Sequence, residues 1–180
     1  MMREERQLGI RKLAPEDAVH LRVWLNDERV LTYYEGRDRP HDDAMIRANF
    51  FPEDDEGVSR FLVLFGEEPI GYVQYYPVDS QDKLAYGYSP DEAIYGMDQF
   101  IGEPVYWNKG LGSRLVSSVV QALSTEKHAT RVIMDPQAWN RRAIRCYEKC
   151  GFRKVKLLPR HEWHEGKKRN CWLMEWRAED

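Results

Sequence analysis

The stretch Asp135-Pro-Gln-Ala-Trp-Asn-Arg-Arg-Ala-Ile-Arg-Cys-Tyr-Glu-Lys-Cys-Gly-Phe152 decides the fold, together with the earlier Pro104-Val-Tyr-Trp-Asn-Lys-Gly-Leu-Gly-Ser113. In the first, Asn140 is a residue type that N-caps helices, and Gly151 suits a C′ position where a positive φ is needed. Ala143 and Tyr147 follow Asn140 at i+3 and i+7 and share one helical face with it. In the second, Gly110 and Gly112 let backbone approach a ligand at a helix start, where free N–H groups and the helix dipole favour an anion. Leu115 stands where a dinucleotide fingerprint needs its third glycine, and the Gly-Lys-Ser/Thr of a P-loop is missing too. Rossmann and Walker readings therefore fail.

Working outward, residues 93–101 read as the strand before the glycine pair. Residues 110–123 space Leu111, Leu115, Val119 and Leu123 four apart with Val116 and Val120 alongside, the stripe of a core-facing helix. Residues 130–134 form a strand that leads into the capped helix, and residues 152–157 and 171–177 supply closing strands. Upstream, residues 7–13 read as a strand, and Pro15-Glu-Asp17 opens a helix carrying Val19, Val23 and Trp24 to residue 26. A second helix covers 41–50, and residues 58–65 and 69–76 flank Gly66-Glu-Glu68 as a hairpin. Glu53-Asp-Asp-Glu-Gly57 and Gly166-Lys-Lys-Arg-Asn170 read as solvated turns rather than linkers. The order predicts one α+β domain over 1–180, with its core in about 7–177. Its mixed, mostly antiparallel sheet has one parallel junction and about four flanking helices.

Composition narrows the function classes. The 180 residues are 42% hydrophobic and 32% charged, and no apolar run approaches the roughly 20 residues of a membrane span. The first ten residues carry no apolar segment and two acids, so neither a secretory nor a transit signal is expected, and the cytoplasm is the expected location. Three cysteines, Cys146, Cys150 and Cys171, fit reduced thiols. A pI of 6.0 lies well below the value above about 9 expected of a nucleic-acid binder. Residues 1–106 hold 11 Lys+Arg and 22 Asp+Glu, a net of −11, while 107–180 hold 16 and 8, a net of +8. A basic half suits a phosphorylated ligand and an acidic half a cation, with the reservation that sequence halves need not be spatial halves. Nothing in the sequence fixes an oligomeric state.

The Gly-X-Gly helix entry followed by Asn-X-X-Ala-X-X-X-Tyr-X-X-X-Gly-Phe resembles the GCN5-related N-acetyltransferase (GNAT) superfamily, whose members use acetyl-CoA. Trp107 stands at the polar first position of that family's loop. Within the superfamily, several blocks resemble the aminoglycoside 6′-N-acetyltransferases: Ile70-Gly-Tyr-Val-Gln74, Asp91-Glu92, Tyr95-Gly-Met-Asp-Gln-Phe-Ile-Gly-Glu-Pro104, Tyr106-Trp-Asn-Lys-Gly-Leu-Gly112, Ala143-Ile-Arg145 and His164-Glu-Gly-Lys-Lys168. The likeness runs from about residue 8 to 177, and siderophore-pathway N-acyltransferases share the block order. It implies a split mixed sheet with acetyl-CoA wedged where two parallel strands diverge. It also implies direct acetyl transfer to an amine, here the 6′-amine of an aminoglycoside antibiotic, and so a resistance function.

Such transfer needs a neutral amine, so a carboxylate near the amine is useful as base, directly or through water. Asp98, between Met97 and Gln99 in the strand over 93–101, matches the family's aspartate. Read alone it could be an edge-strand acid. Tyr147 matches the family's tyrosine; a phenol with reference pKa about 10 can donate to a thiolate of about 8.5. Read alone it is a packed helix aromatic. The resemblance further implies that backbone amides of Gln99, Phe100 and Ile101 polarise the thioester carbonyl. The loop of Trp107, Asn108, Lys109, Gly110, Leu111, Gly112, Ser113 and Arg114 would bind the cofactor's phosphates, with Asn140 and Ala143 along its pantetheine arm. By family position, Trp24, Gln74, Tyr76, Asp98, Asp135 and Glu165 are expected at the acceptor. Nine of ten tyrosines lie between Tyr33 and Tyr106 among acids, a mixture suited to an aminosugar. Cys146, Cys150, His161 and His164 lack the spacing of a zinc knuckle, so no metal is expected. Expected partners are acetyl-CoA and a small polyamine, with no nucleic acid and no membrane. Two other readings stay open: acylation of a different amine, such as a siderophore hydroxylamine, a polyamine or a peptide; and a non-catalytic CoA-binding module.

Overall fold

The computed structural model describes residues 5–179. In chain order it runs β1 (Leu8–Lys12), α1 (Ala18–Trp24), α2 (Glu28–Leu31), α3 (Asp43–Phe50), β2 (Ser59–Phe65), β3 (Glu68–Pro77), α4 (Ser80–Ala85) and β4 (Ile94–Ile101). It continues with α5 (Leu111–Glu126), β5 (Arg131–Met134), α6 (Arg141–Lys149), β6 (Arg153–His164) and β7 (Lys167–Arg177). The strands form one mixed seven-stranded sheet in the order β1-β2-β3-β4-β5-β7-β6. β1 pairs antiparallel with β2, and β7 pairs antiparallel with both β5 and β6. β4 and β5 are parallel, in register from Ile94↔Arg131 to Gly96↔Ile133, and β4 then continues to Ile101. The α+β class, the mixed sheet and its parallel junction are therefore as expected.

Three features differ from the expectation. There are six α-helices among the described residues instead of about four, because α2 and α4 are short and lie in segments with too few turns for periodicity to register. Both are still locally encoded: Asp27 accepts from the Arg29 N–H and Asp79 from the Asp82 N–H. The closing strands are longer than their apolar cores. The segment 166–170 is not a turn throughout, since Lys167–Asn170 belongs to β7 and the turn is Glu165-Gly166, with φ of 49° and 78°.

The described chain separates into two compact units. One comprises residues up to Gln74 with Gln99–Leu115, the other Tyr75–Asp98 with the residues from Val116. In the first, Leu21, Trp24, Leu25, Leu62, Tyr72 and Phe100 anchor a buried cluster. Gly71 is needed there, since a Cβ would overlap the Phe100 carbonyl oxygen. In the second, Ile94, Ile133, Leu158, Cys171 and Leu173 pack with Val78 and Tyr88. Beside them Glu175, 3% exposed, accepts from Tyr88 Oη (2.7 Å), Arg131 (3.0 Å) and Arg153 (2.9 Å). Arg131 also holds Glu92 at 2.7 Å, so the start of the parallel pair is tied to β6 and β7 by charge-assisted bonds. No helix among the described residues is long and apolar enough to cross a membrane.

Candidate active site

In the first unit, β4 ends in a loop shaped by backbone geometry. The Gly102 N–H donates to Ile70 O at 2.7 Å. The Phe100 ring lies in the core against Tyr34 (4.6 Å between centroids) and Tyr72 (5.7 Å), while Gln99 and Ile101 on either side are half-buried. A 3₁₀ turn at Pro104–Tyr106 leads to Trp107, whose indole N–H donates to Ile101 O at 2.8 Å. The residue at the family's polar loop position thus fastens the loop to the end of its own strand. Asn108 and Gly110 adopt left-handed φ of 58° and 76°, turning the chain into α5. Asn108, Lys109, Gly110 and Arg114 are exposed, Gly112 and Ser113 half-buried, and Leu111 (4% exposed) starts the buried stripe. A 16-residue helix therefore starts beside two exposed cations, Lys109 and Arg114, and its first N–H groups, which have no intrahelical partner, make with them a donor set suited to phosphate oxygens. Tyr106 steadies the loop: it donates to Glu68 at 2.5 Å, accepts from Arg6 at 2.9 Å and carries Lys109 Nζ 5.7 Å from its ring centroid.

Two acceptor candidates also lie in this unit. Trp24 is 1% exposed, with its indole N–H donating to Glu103 Oε1 at 2.8 Å. What it presents outward is Glu103, half-buried, rather than its own ring. Gln74 is half-buried, and its Oε1 accepts from Tyr72 Oη at 2.6 Å.

In the second unit, the Tyr76 ring lies over Gly96, where a Cβ would come within 2.5–2.8 Å of Cε2, Cζ and Oη. Burial holds its phenol far above the ordinary value, and the charges of Asp98 and Asp135 push it further, followed by Tyr86 and Asp82. Asp98 and Asp135 thus act on the Tyr76 hydroxyl through their charge, and Tyr86 and Asp82 act on it more weakly. Burial first, then Asp135 and Asp82, raises the Tyr86 hydroxyl to about 12. His161 Nε2 meets Asp135 Oδ2 at 2.9 Å. Glu162 accepts from Gln137 Nε2 at 3.1 Å and from Cys171 Sγ at 3.8 Å; burial, then Glu162 and Asp135, raises the Cys171 thiol to about 12. Asp82, Tyr86, His161 and Glu162 were not among the expected site residues: Asp82 lies in and Tyr86 caps a helix too short to show a period, and the others lie at an irregular part of β6.

Asn140 caps α6, its Oδ1 accepting from the Ala143 N–H at 3.1 Å, and Gly151 closes the helix at φ 89°. Tyr147 is half-buried with its ring 6.0 Å from Phe152. Glu165 sits at the tip of the β6–β7 hairpin. His164 is 5% exposed against Trp139 (5.4 Å). Among the described residues, no three His, Cys, Asp or Glu side chains group as a metal site.

Comparison with known proteins identifies relatives of the chain. Aminoglycoside N(6')-acetyltransferase type 1 of Klebsiella pneumoniae is 30% identical over 145 residues, 79% of this chain and 72% of that protein. A kanamycin resistance protein of Rhizobium radiobacter is 42% identical over 62 residues, 34% of this chain and 57% of that protein. The crystal structure of aminoglycoside acetyltransferase AAC(6')-Ib with coenzyme A matches with a TM-score of 0.73 at 25% identity, over 95% of both chains. Spermidine N-acetyltransferase from Vibrio cholerae, with CoA and spermine, shares the fold at TM-score 0.77 and 18% identity over 95% of both chains. A family model described as an acetyltransferase (GNAT) domain matches residues 14–159, and the chain belongs to that family of acetyltransferases.

Proposed function

We propose that the protein transfers an acetyl group from acetyl-CoA to the 6′-amine of an aminoglycoside and so inactivates the drug. The observation that carries the acceptor is the negative charge that Asp98, Asp135 and Asp82 exert on the Tyr76 hydroxyl, which a polycationic aminosugar would complement. The acetyltransferases it resembles at 30% and 25% identity, which carry aminoglycoside in their names, support the same reading.

The residues present fit a CoA thioester: the start of α5, flanked by the exposed Lys109 and Arg114, suits its phosphates. Acetyl-CoA, when bound, supplies the acetyl group as an activated thioester. The loop from Trp107 to Arg114 holds the phosphates, with Trp107 contributing backbone because its indole N–H is engaged. Asn140 and Ala143 border the pantetheine arm. Backbone N–H groups of Gln99, Phe100 and Ile101 polarise the carbonyl, and the burial of the Phe100 ring leaves its backbone for that role. Asp98 takes the ammonium proton, directly or through water, and the Tyr147 hydroxyl donates to the leaving sulfur. Tyr76, Gln74, Asp135 and Glu165 contact the acceptor, and Trp24 acts from the core by holding Glu103.

The test is CoA-thiol release with acetyl-CoA and a panel of aminoglycosides bearing a 6′-amine or a 6′-hydroxyl. Release with the amino compounds alone is expected. No release with any of them, alongside turnover of a lysine derivative, peptide or spermidine, overturns the assignment and leaves acetylation of another amine.

A further inference from the structure

β6 does not run straight past β7. Its register passes from Leu158↔Cys171 to Glu162↔Arg169, so Pro159, Arg160 and His161 stand opposite Asn170 alone. Arg160 takes a left-handed φ of 49°, and its N–H donates to Asn170 Oδ1 at 2.9 Å. Bulges of this kind re-aim side chains beside functional sites. This one delivers His161 onto Asp135, Nε2 to Oδ2 at 2.9 Å, with 29% of the His161 side chain and 45% of the Asp135 side chain exposed. Asp135 also acts on the hydroxyls of Tyr76 and Tyr86, so the imidazole holds a carboxylate that belongs to the acidic cluster.

Resting on the acceptor reading above, we propose that His161 is a positioning residue that sets acceptor affinity. Protonated, it occupies Asp135 and competes with the incoming ammonium; neutral, it leaves the carboxylate's charge to the acceptor. The groups that act on the ring are acidic on each element: Asp135 from the segment after β5, Glu162 from β6 itself and Asp82 from α4, with Arg160 adjacent in the chain. The hydrogen bond to Asp135 is the largest influence and raises the imidazole above its ordinary value, with burial opposing. The sign follows. The ion pair is complete below the ordinary histidine value and is lost as pH rises through the raised one, so acceptor binding strengthens on the alkaline side.

The experiment compares acceptor KM from about pH 6 to about pH 9 for the wild type, His161→Asn and His161→Gln, with kanamycin and spermidine as acceptors. The acceptor's own amines titrate identically in every case, so the ratio of variant to wild type isolates His161. Both variants are expected to bind acceptor more tightly than wild type near pH 6, by about two- to fivefold, the scale of a solvent-exposed ion pair, and to converge with it near pH 9. The KM for acetyl-CoA should not follow this pattern. A merely structural histidine would not give tighter binding confined to low pH. On the wild-type protein, NMR titration of the His161 ring should move to lower pH when kanamycin is added at saturation with CoA, by reciprocity of linkage. Kanamycin turnover with superimposable wild-type and variant profiles, or an unmoved His161 titration under saturation, overturns the proposal and leaves the acceptor reading standing. Absence of kanamycin turnover, with or without turnover of spermidine, overturns that reading and the proposal with it.

Discussion

At Gly102 a methyl group would overlap the Trp24 indole, which is 1% exposed and cannot swing aside. Gly102→Ala is expected to destabilise the protein by about 1–3 kcal/mol, the usual range for overpacking, with urea denaturation as the measurement. Asp98 is half-buried and acts by its charge on the raised phenol of Tyr76, and Asp98→Asn keeps its shape while removing the proposed base and its charge. Turnover should fall by roughly 10²–10⁴-fold with acetyl-CoA affinity nearly intact. Calorimetric titration beside steady-state rates checks this; near wild-type turnover, or acetyl-CoA binding lost in step with activity, would make Asp98 structural. Tyr147→Phe should cost less, because water can supply the proton. Single residues differed in how far the sequence exposed them. Asn140 and Gly151 were legible because capping and positive φ are local demands. The indole bond of Trp107 to Ile101 was not, because it depends on where a 3₁₀ turn returns the chain.

Whole elements were legible in proportion to their apolar periodicity. α5 declared itself by a stripe of Leu111, Leu115, Val116, Val119, Val120 and Leu123, every one of them 4% exposed or less. The outer half of the β6–β7 hairpin did not, since its charged and polar residues on an edge strand imitate a turn. Its bulge, which brings His161 to Asp135, is a register effect that no single-strand pattern contains. The Glu175 network has a consequence at this scale. Tyr88, Arg153 and Arg131 hold the carboxylate below its ordinary value against the opposing effect of burial, which is the largest single influence. A lowered carboxylate contributes stability that is present above its unfolded value and lost as pH falls through the folded one. Glu175→Gln should therefore cost about 3 kcal/mol at neutral pH, the lower end for breaking a buried pair because Arg153 is largely exposed, and should flatten the acid limb of stability below about pH 4.5. Urea midpoints between about pH 3 and 7 measure both effects.

Over the whole molecule, charge is distributed differently from the chain halves. By sequence count, the unit of residues 1–74 and 99–115 carries 12 Lys+Arg against 17 Asp+Glu, a net of −5, and the other carries 15 against 13, a net of +2. The contrast of −11 and +8 between chain halves therefore weakens in the folded units. What can capture a polycation is the local cluster of Asp82, Asp98, Asp135 and Glu162, all within the unit whose net charge is positive. A local field of this kind is screened over short distances. Raising ionic strength from about 0.1 M to about 1 M shortens the Debye length from about 10 Å to about 3 Å, so acceptor KM should rise several-fold while kcat at saturation changes little. The KM for acetyl-CoA should also rise, through Lys109 and Arg114, both exposed beside the start of α5. The two responses separate by mutation: Asp82→Asn should flatten the salt dependence of the acceptor and leave that of acetyl-CoA unchanged. An acceptor KM constant across this range in the wild type would mean that hydrogen bonding and aromatic contact, rather than charge, draw the acceptor to the site.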